Sequence, residues 1–207
     1  MHDQRRHQRI RFGKPLAIRI GFNGQLGSGY LENLSISGFM VRTEIPLEVG
    51  KNFGCEFSIF GSARIDTIAI TVSCLGDLFG ARFQAGPISS LLVKDALDQA
   101  LASGHASSVS MHTMEGKKVL CVAGGLNASL ENDFSFCLTK SGIHELDLSG
   151  VTRIDPAGLA LCRNAMRHHG VSIRASSECF ASAWQNQALN ASVLPHPPLR
   201  AAAQESA

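Results

Sequence analysis

Four arginines near the start of the chain are the residues best suited to hold a ligand: Arg5, Arg6, Arg9 and Arg11. Each guanidinium group is a planar fork of donors that can bind a phosphate, or the edge of a guanine, through two parallel hydrogen bonds. Only Asp3 opposes them within this segment, which is therefore a basic arm. The arm is either a solvated terminus or the place where an anionic ligand is held.

A second polar cluster follows one predicted strand later and contains Asn33, Ser35, Ser37 and Gly38. Asparagine and serine provide short donors and acceptors, and glycine lets the backbone come close to a planar ligand. The cluster therefore predicts a tight turn that can contact a base or a phosphate.

The two clusters together resemble the signatures of the PilZ domain, a bacterial receptor family for cyclic di-GMP. In that family Arg-x-x-x-Arg lies on an N-terminal arm, and Asp/Asn-x-Ser-x-x-Gly lies farther along, on a barrel. Here Arg5 and Arg9 match the first motif, and the second cluster matches the other. The resemblance implies a six-stranded antiparallel barrel over roughly residues 4–104, and it implies that cyclic di-GMP is bound by Arg5, Arg6, Arg9, Asn33, Ser35 and Gly38.

Alternating apolar residues also favour a small antiparallel barrel on their own, because they predict about six short strands before Phe83. Such alternation occurs at Leu16, Ile18 and Ile20, and again at Ile68, Ile70 and Val72. Pro87 then predicts the first turn of a helix, and Gly104 predicts its end. The expected buried stripe of this helix is Ile88, Leu91, Leu92, Ala96 and Leu101.

The length of 207 residues favours two domains. We expect a PilZ-like barrel with its basic arm over residues 1–104, an α/β domain over 105–192, and a loose tail over 193–207. The polar run Gly104–Ser108 is the expected linker, and its shortness indicates that the domains touch.

The second half alternates predicted strands and helices, which indicates helices packed on a sheet. Residues 145–160 resemble the central motif of STAS domains, in which a strand ends in Asp-Ser-Ser/Thr-Gly and a helix begins. The serine after that aspartate is the phosphorylation site in signalling members. Here Asp155 is followed by Pro156 and Ala157, so the resemblance implies a docking domain without a phosphate switch. Asp155 itself is expected to cap the helix.

No catalytic or metal-binding constellation is expected, so the sequence favours a receptor without a cofactor over an enzyme. The six cysteines form no Cys-x-x-Cys pair, and free thiols in a reducing compartment are the simplest reading. His168 and His169 are adjacent on a predicted helix, about 100° apart, and therefore do not share a metal ion easily. There is no phosphate-binding glycine loop of the Walker type.

The chain has no apolar run that predicts a signal peptide or a membrane span, so we expect a cytoplasmic protein without membrane insertion. Residues 1–104 carry 11 Lys and Arg against 9 Asp and Glu, and residues 105–207 carry 8 against 8. This small local excess, concentrated in the arm, argues against a general nucleic-acid surface.

The resulting hypothesis is a cyclic di-GMP receptor that passes nucleotide binding to a protein partner through residues 105–192. Two other classes stay open. One is an adaptor whose barrel no longer binds nucleotide and whose STAS-like domain does the docking. The other is a nucleic-acid binder that uses the basic arm.

Overall fold

A computed structural model of the protein describes residues 9–84 and 86–192. Arg5, Arg6 and the predicted tail over residues 193–207 lie outside the described residues. Seven strands form the first half: β1 (Ile10–Phe12), β2 (Leu16–Phe22), β3 (Gln25–Ser35), β4 (Gly38–Thr43), β5 (Asn52–Phe57), β6 (Ile65–Leu75) and β7 (Leu78–Phe83).

Strands β2–β7 close into an antiparallel barrel in the order β3-β2-β5-β6-β7-β4, because β4 pairs back onto β3. The predicted six-stranded barrel is therefore confirmed. Successive side chains of a strand point to opposite faces, and the inward rows supply the barrel core. Phe39 lies at its centre, with its ring centroid 5.1 Å from that of Phe83 and 6.3 Å from that of Phe57.

Strand β6 shows that alternation identifies a strand without showing which side faces the core. Its inward residues are Ile65, Thr67, Ala69 and Thr71, all buried. Ile68 and Val72 lie on the outer surface, 52% and 45% exposed. Threonine inside the barrel and isoleucine outside it reverse the usual preference, so the apolar residues of this strand alone would favour the wrong face.

The helix predicted at Pro87 is α1 (Pro87–Ala102), and it begins after the N-cap residue Gly86. Its buried residues are Val93, Ala96, Leu97 and Ala100, which repeat at helical spacing and pack on the barrel core. The predicted stripe was therefore wrong at Ile88, Leu91 and Leu92, which are exposed. The large apolar residues of the first turns misled the prediction, since the face of α1 that packs on the barrel core begins at Val93.

The second half is an α/β arrangement, as expected from the sequence. It contains β8 (Ala106–Met114), β9 (Lys117–Leu126), α2 (Glu131–Phe136), β10 (Glu145–Ile154), α3 (Pro156–His169), β11 (Ser172–Ser176) and α4 (Glu178–Ser192). The strands lie in the order β8-β9-β10-β11; β8 and β9 form an antiparallel hairpin, and β9, β10 and β11 are parallel. A separate core forms around residues of these strands and of the three helices, including Leu120, Phe134, Leu146, Leu148, Cys162 and Phe180.

Three local features of this half follow directly from residue types. Glu115 and Gly116 both have positive φ, 52° and 79°, as the two central residues of a type I′ hairpin turn require. The Asp155 side chain accepts a hydrogen bond from the Gly158 amide at 2.8 Å, so the predicted N-cap is confirmed. Gly170 ends α3 in the left-handed conformation, with φ of 65°.

The predicted linker Gly104–Ser108 was wrong from Ala106 onward, because Ala106–Ser108 is the buried first part of β8. These residues pair with β1, where Ile10 lies opposite Ser108 and Phe12 opposite Ala106. The Ser107 hydroxyl donates to the Gly125 carbonyl, which satisfies a polar side chain that looked solvent-exposed in the sequence. Since β1 also pairs with β3, all eleven strands form one continuous hydrogen-bonded sheet.

None of the described helices is both long enough and apolar enough to pass through a membrane.

The barrel core predicts the effect of a cavity in this sheet. Leu34 is fully buried beside β1, and Leu34→Ala is expected to lower the free energy of unfolding by about 2–5 kcal/mol. Urea denaturation measures this loss. Leu26→Ala is the matched control, since Leu26 is 83% exposed and its truncation should change stability by less than about 0.5 kcal/mol. Equal effects of the two substitutions would contradict the described core.

Candidate ligand-binding site

The second motif forms the connection between β3 and β4, with Ile36 and Ser37 as its two loop residues. Ser35 is 4% exposed, and its hydroxyl donates to the Gly38 carbonyl at 3.0 Å. The Ser35 and Ser37 hydroxyl oxygens are 3.2 Å apart. The Ser35 hydroxyl is thus used inside the turn, where it fixes the backbone between the two strands.

Gly38 is required by the packing of the barrel. A Cβ atom at this position would collide with the carbonyl oxygen of Ala81 on β7 and would lie 3.0 Å from the Cα atom of Arg82. The amide of Phe83 donates to the Ser37 carbonyl at 3.1 Å and holds the same turn against β7. The glycine of the motif therefore has a structural cause that does not depend on any ligand.

Asn33 lies on the outer surface of the barrel, opposite Met40 on β4. Its side-chain oxygen Oδ1 is buried and has no hydrogen-bond partner among the described residues. A buried acceptor without a donor costs about 1–3 kcal/mol. A ligand or an arm residue that donates to this oxygen would recover that cost.

Arg9 is the arm residue that the structure brings to the motif. It is exposed, and its Nη1 atom donates to the Met40 sulfur at 3.8 Å. The following residue, Ile10, lies opposite Leu34, between Asn33 and Ser35. The register of β1 therefore places the C-terminal end of the arm beside the second motif.

Strand register also brings to this surface two residues that the sequence did not single out. Met40 lies opposite Asn33, and Arg82 on β7 lies opposite Gly38. Their positions depend on which strands pair and in which register, and neither residue stands in a sequence motif. Of the predicted ligand residues, Arg9, Asn33, Ser35 and Gly38 are thus together, and Arg5 and Arg6 lie outside the described residues.

The second sheet carries a shallow cavity of about 160 Å³ lined by Cys121, Asp147 and Ser149, among others. Ser149 donates to Asp147 Oδ1 from both its amide, at 3.0 Å, and its hydroxyl, at 2.6 Å. Burial and the neighbouring Asp147 carboxylate raise the pKa of the Cys121 thiol. A thiol whose pKa is raised stays protonated at neutral pH and is a poor nucleophile.

Two other cysteines, Cys55 and Cys162, are buried and are poor nucleophiles. All six are free thiols. Burial raises the pKa of Cys55 and of Cys162 to about 12, which keeps both thiols protonated. Within residues 9–84 and 86–192, no group of three or more His, Cys, Asp and Glu side chains could hold a metal ion.

The sequence matches the model of the PilZ domain family over residues 3–103. Residues 3–103 are a PilZ domain. The match covers the arm, the whole barrel and α1, and it ends just before β8. The domain is thus the part of the chain that carries both motifs.

Several solved structures are similar to the chain, each over less than half of its length. The PilZ domain of YcgR from Escherichia coli with c-di-GMP shares 16% identity, covering 47% of this chain and 91% of that chain with a TM-score of 0.41. The PilZ domain of CeSA from a cellulose-synthesizing bacterium shares 12% identity, with 44% and 95% covered and a TM-score of 0.38. The PlzA protein of Borreliella burgdorferi in complex with c-di-GMP shares 20% identity, with 45% and 41% covered and a TM-score of 0.35. No curated protein matches the sequence significantly.

The packing of Gly38 predicts a loss of stability that is independent of ligand. Gly38→Ala should lower the free energy of unfolding of the ligand-free protein by about 1–3 kcal/mol, because the added methyl group meets the backbone of β7. Gly54→Ala is the matched control, since the nearest atom to its added Cβ is 3.9 Å away. Chemical denaturation of both variants tests the difference; similar stabilities would show that the turn adapts at no cost.

Proposed function

We propose that the protein is a cyclic di-GMP receptor without catalytic activity. The observation that carries the proposal is the PilZ domain itself, with Arg9 and Asn33 of its two motifs both next to Met40 on the outer barrel surface. In the proposed complex, Arg5, Arg6 and Arg9 bind the phosphates and guanine edges through charge-assisted hydrogen bonds. The free energy of those bonds must exceed the conformational entropy that the contacting side chains lose on binding.

The motif turn supplies the second part of the proposed site. A guanine presents N–H donors on its base-pairing edge, and Asn33 Oδ1 is an acceptor without a partner among the described residues. Ser35 and Gly38 contribute by holding the turn in shape, because their contacts lie within the turn and against β7. The sequence predicts that Ser35 contacts the ligand directly. In this proposal Ser35 instead supports the residues that make the contact.

We propose further that β1 passes ligand binding to the second domain. The arm runs directly into this strand, which pairs with β3 on one side and with β8 on the other. Arg11 within β1 also forms an ion pair with Asp133 of α2 at 3.0 Å. In this proposal, a movement of the arm on ligand binding is passed to the second domain through the three residues of β1.

In this proposal the second domain is a STAS-like docking domain for a protein partner. Its support is the alternation of strands and helices and the Asp155-capped start of α3, which agree with the motif resemblance. Pro156 and Ala157 stand where signalling members have hydroxyl groups, so control by phosphorylation at this loop is not expected. The nucleotide site on the barrel is then the source of regulation.

Calorimetric titration of the full chain with cyclic di-GMP tests the proposed ligand. We expect binding, and weaker binding of cyclic di-AMP, since adenine lacks the O6 acceptor that arginine recognises. Arg9→Ala should weaken binding by roughly 1.5–3 kcal/mol, the scale of hydrogen bonds to charged groups. Arg64→Ala, on an exposed arginine in the segment that leads into β6, is the control and should leave the affinity unchanged.

Absence of binding by the wild-type chain would reject the receptor and leave the adaptor reading. A gel shift with nucleic acid that weakens steeply as salt rises would instead favour the nucleic-acid binder.

Hydrogen exchange tests the proposed transmission without knowledge of the partner. Saturating cyclic di-GMP should slow exchange of amides in β1 and in Ala106–Ser108. A ligand held by the arm should reduce opening of β1 and therefore of its pairing with these residues. The segment Ser172–Ser176, at the far edge of the sheet, should be unaffected. Protection confined to the barrel would show that the second domain does not sense the ligand.

A further inference from the structure

We infer that Arg82 is an additional ligand-binding residue, which holds a phosphate of the dinucleotide from the side of the site opposite the arm. The inference rests on the proposed function, because it assigns a further cation to the same site. It concerns a residue that neither motif contains. Its basis is the register of β7, the direction of the side chain and the absence of a competing carboxylate.

The register of β7 places Arg82 directly against the second motif. Arg82 lies opposite Gly38, and the next residue, Phe83, donates its amide to the Ser37 carbonyl at 3.1 Å. Residues opposite each other in an antiparallel pair have Cα atoms about 4.5–5.5 Å apart. Strand pairing and this hydrogen bond therefore hold the turn of the motif next to Arg82.

The side chain of Arg82 lies on the same surface as the motif. Its neighbour Ala81 is buried in the barrel core, whereas Arg82 is exposed. Strand alternation therefore directs Arg82 outward, and cross-strand neighbours share a face. Met40, two residues beyond Gly38, is on this outer face and receives the hydrogen bond from Arg9. Arg9 and Arg82 thus approach β4 from opposite sides.

The other arginines in β1–β6 and their connections already have acidic partners. These ion pairs join Arg11 to Asp133, Arg19 and Arg64 to Glu56, and Arg42 to both Glu32 and Asp77. For Arg82, no ion pair or hydrogen bond of the side chain is found with any residue in 9–84 or 86–192. An exposed arginine without a carboxylate is ordinary by itself. Next to Gly38 and Met40, however, the Arg82 guanidinium provides a positive charge close to where the two phosphates of the proposed ligand would lie.

The shape of the surface agrees with this role. The residue opposite Met40 on β7 is Gly80, which has no side chain that could stand between Met40 and Arg82. The long arginine side chain can therefore extend over β4 toward the ligand. A bidentate guanidinium–phosphate contact suits this geometry, because the planar fork matches two phosphate oxygens.

Titration of the full-length chain with cyclic di-GMP, comparing wild type, Arg82→Ala, Arg82→Lys and Arg64→Ala, tests the inference. Arg82→Ala should raise Kd by roughly tenfold to a hundredfold, the range for a lost charge-assisted hydrogen bond. Arg82→Lys should lie between Ala and wild type, since lysine keeps the charge and loses the fork. Arg64→Ala should bind as wild type does, which excludes a general effect of net charge.

Thermal unfolding without ligand separates binding from folding. An exposed arginine with no described partner supports little structure, so Arg82→Ala should unfold at the same midpoint temperature as wild type. Wild-type binding with an unchanged Kd for Arg82→Ala would overturn the inference and leave the receptor intact. Failure of the wild-type chain to bind would overturn both. A weaker Kd accompanied by an equal loss of apo stability would assign Arg82 to the fold instead.

Discussion

The pairing of the short strand β1 with β3 and with β8 is the constraint on which the rest of this structure depends. Ile10 is 2% exposed and lies opposite Leu34 on one side and Ser108 on the other. Without β1, the barrel and the second sheet would each have a strand with unpaired backbone groups at the junction. Because buried backbone donors and acceptors need partners, this strand fixes both sheets relative to each other. The backbone hydrogen bonds of β1 also hold the C-terminal end of the basic arm, next to Ile10.

The two hydrophobic cores are separate, and some of the contacts between the halves are polar or are close backbone approaches at glycines. The Thr152 hydroxyl donates to the Leu101 carbonyl at 2.7 Å, and an added Cβ at Gly125 would lie 2.5 Å from the Gly104 carbonyl oxygen. Close backbone approach at glycines leaves little freedom for one half to slide on the other. Backbone contacts of this kind therefore help to set the position of the second half relative to the barrel.

The proposed nucleotide site lies on the outside of the barrel, so its binding energy has to come mainly from charge and hydrogen bonds. The barrel interior is filled by aromatic and aliphatic side chains such as Phe39 and Phe57, and it provides no internal site. Gly38 and Ser35 keep the turn in one conformation through contacts of their own. The turn is therefore preorganised, and its conformation does not have to be fixed when a ligand binds.

Sequence alone determined the local features of this protein. The hairpin turn at Glu115-Gly116, the cap at Asp155 and the end of α3 at Gly170 follow from residue types that favour one local conformation. The barrel was predictable because strand periodicity is a property of neighbouring residues. The motif residues Arg9, Asn33, Ser35 and Gly38 could be selected by their order and spacing, and their role in ligand binding stays a prediction. Tertiary structure decided which face of β6 points inward, which side of α1 is buried, and that Ala106–Ser108 is a strand instead of a linker. It also decided that Arg82 lies beside Gly38. These outcomes depend on contacts between segments that are distant along the chain. The packed structure as a whole sets those contacts, and the residues of one segment carry no local signal for them.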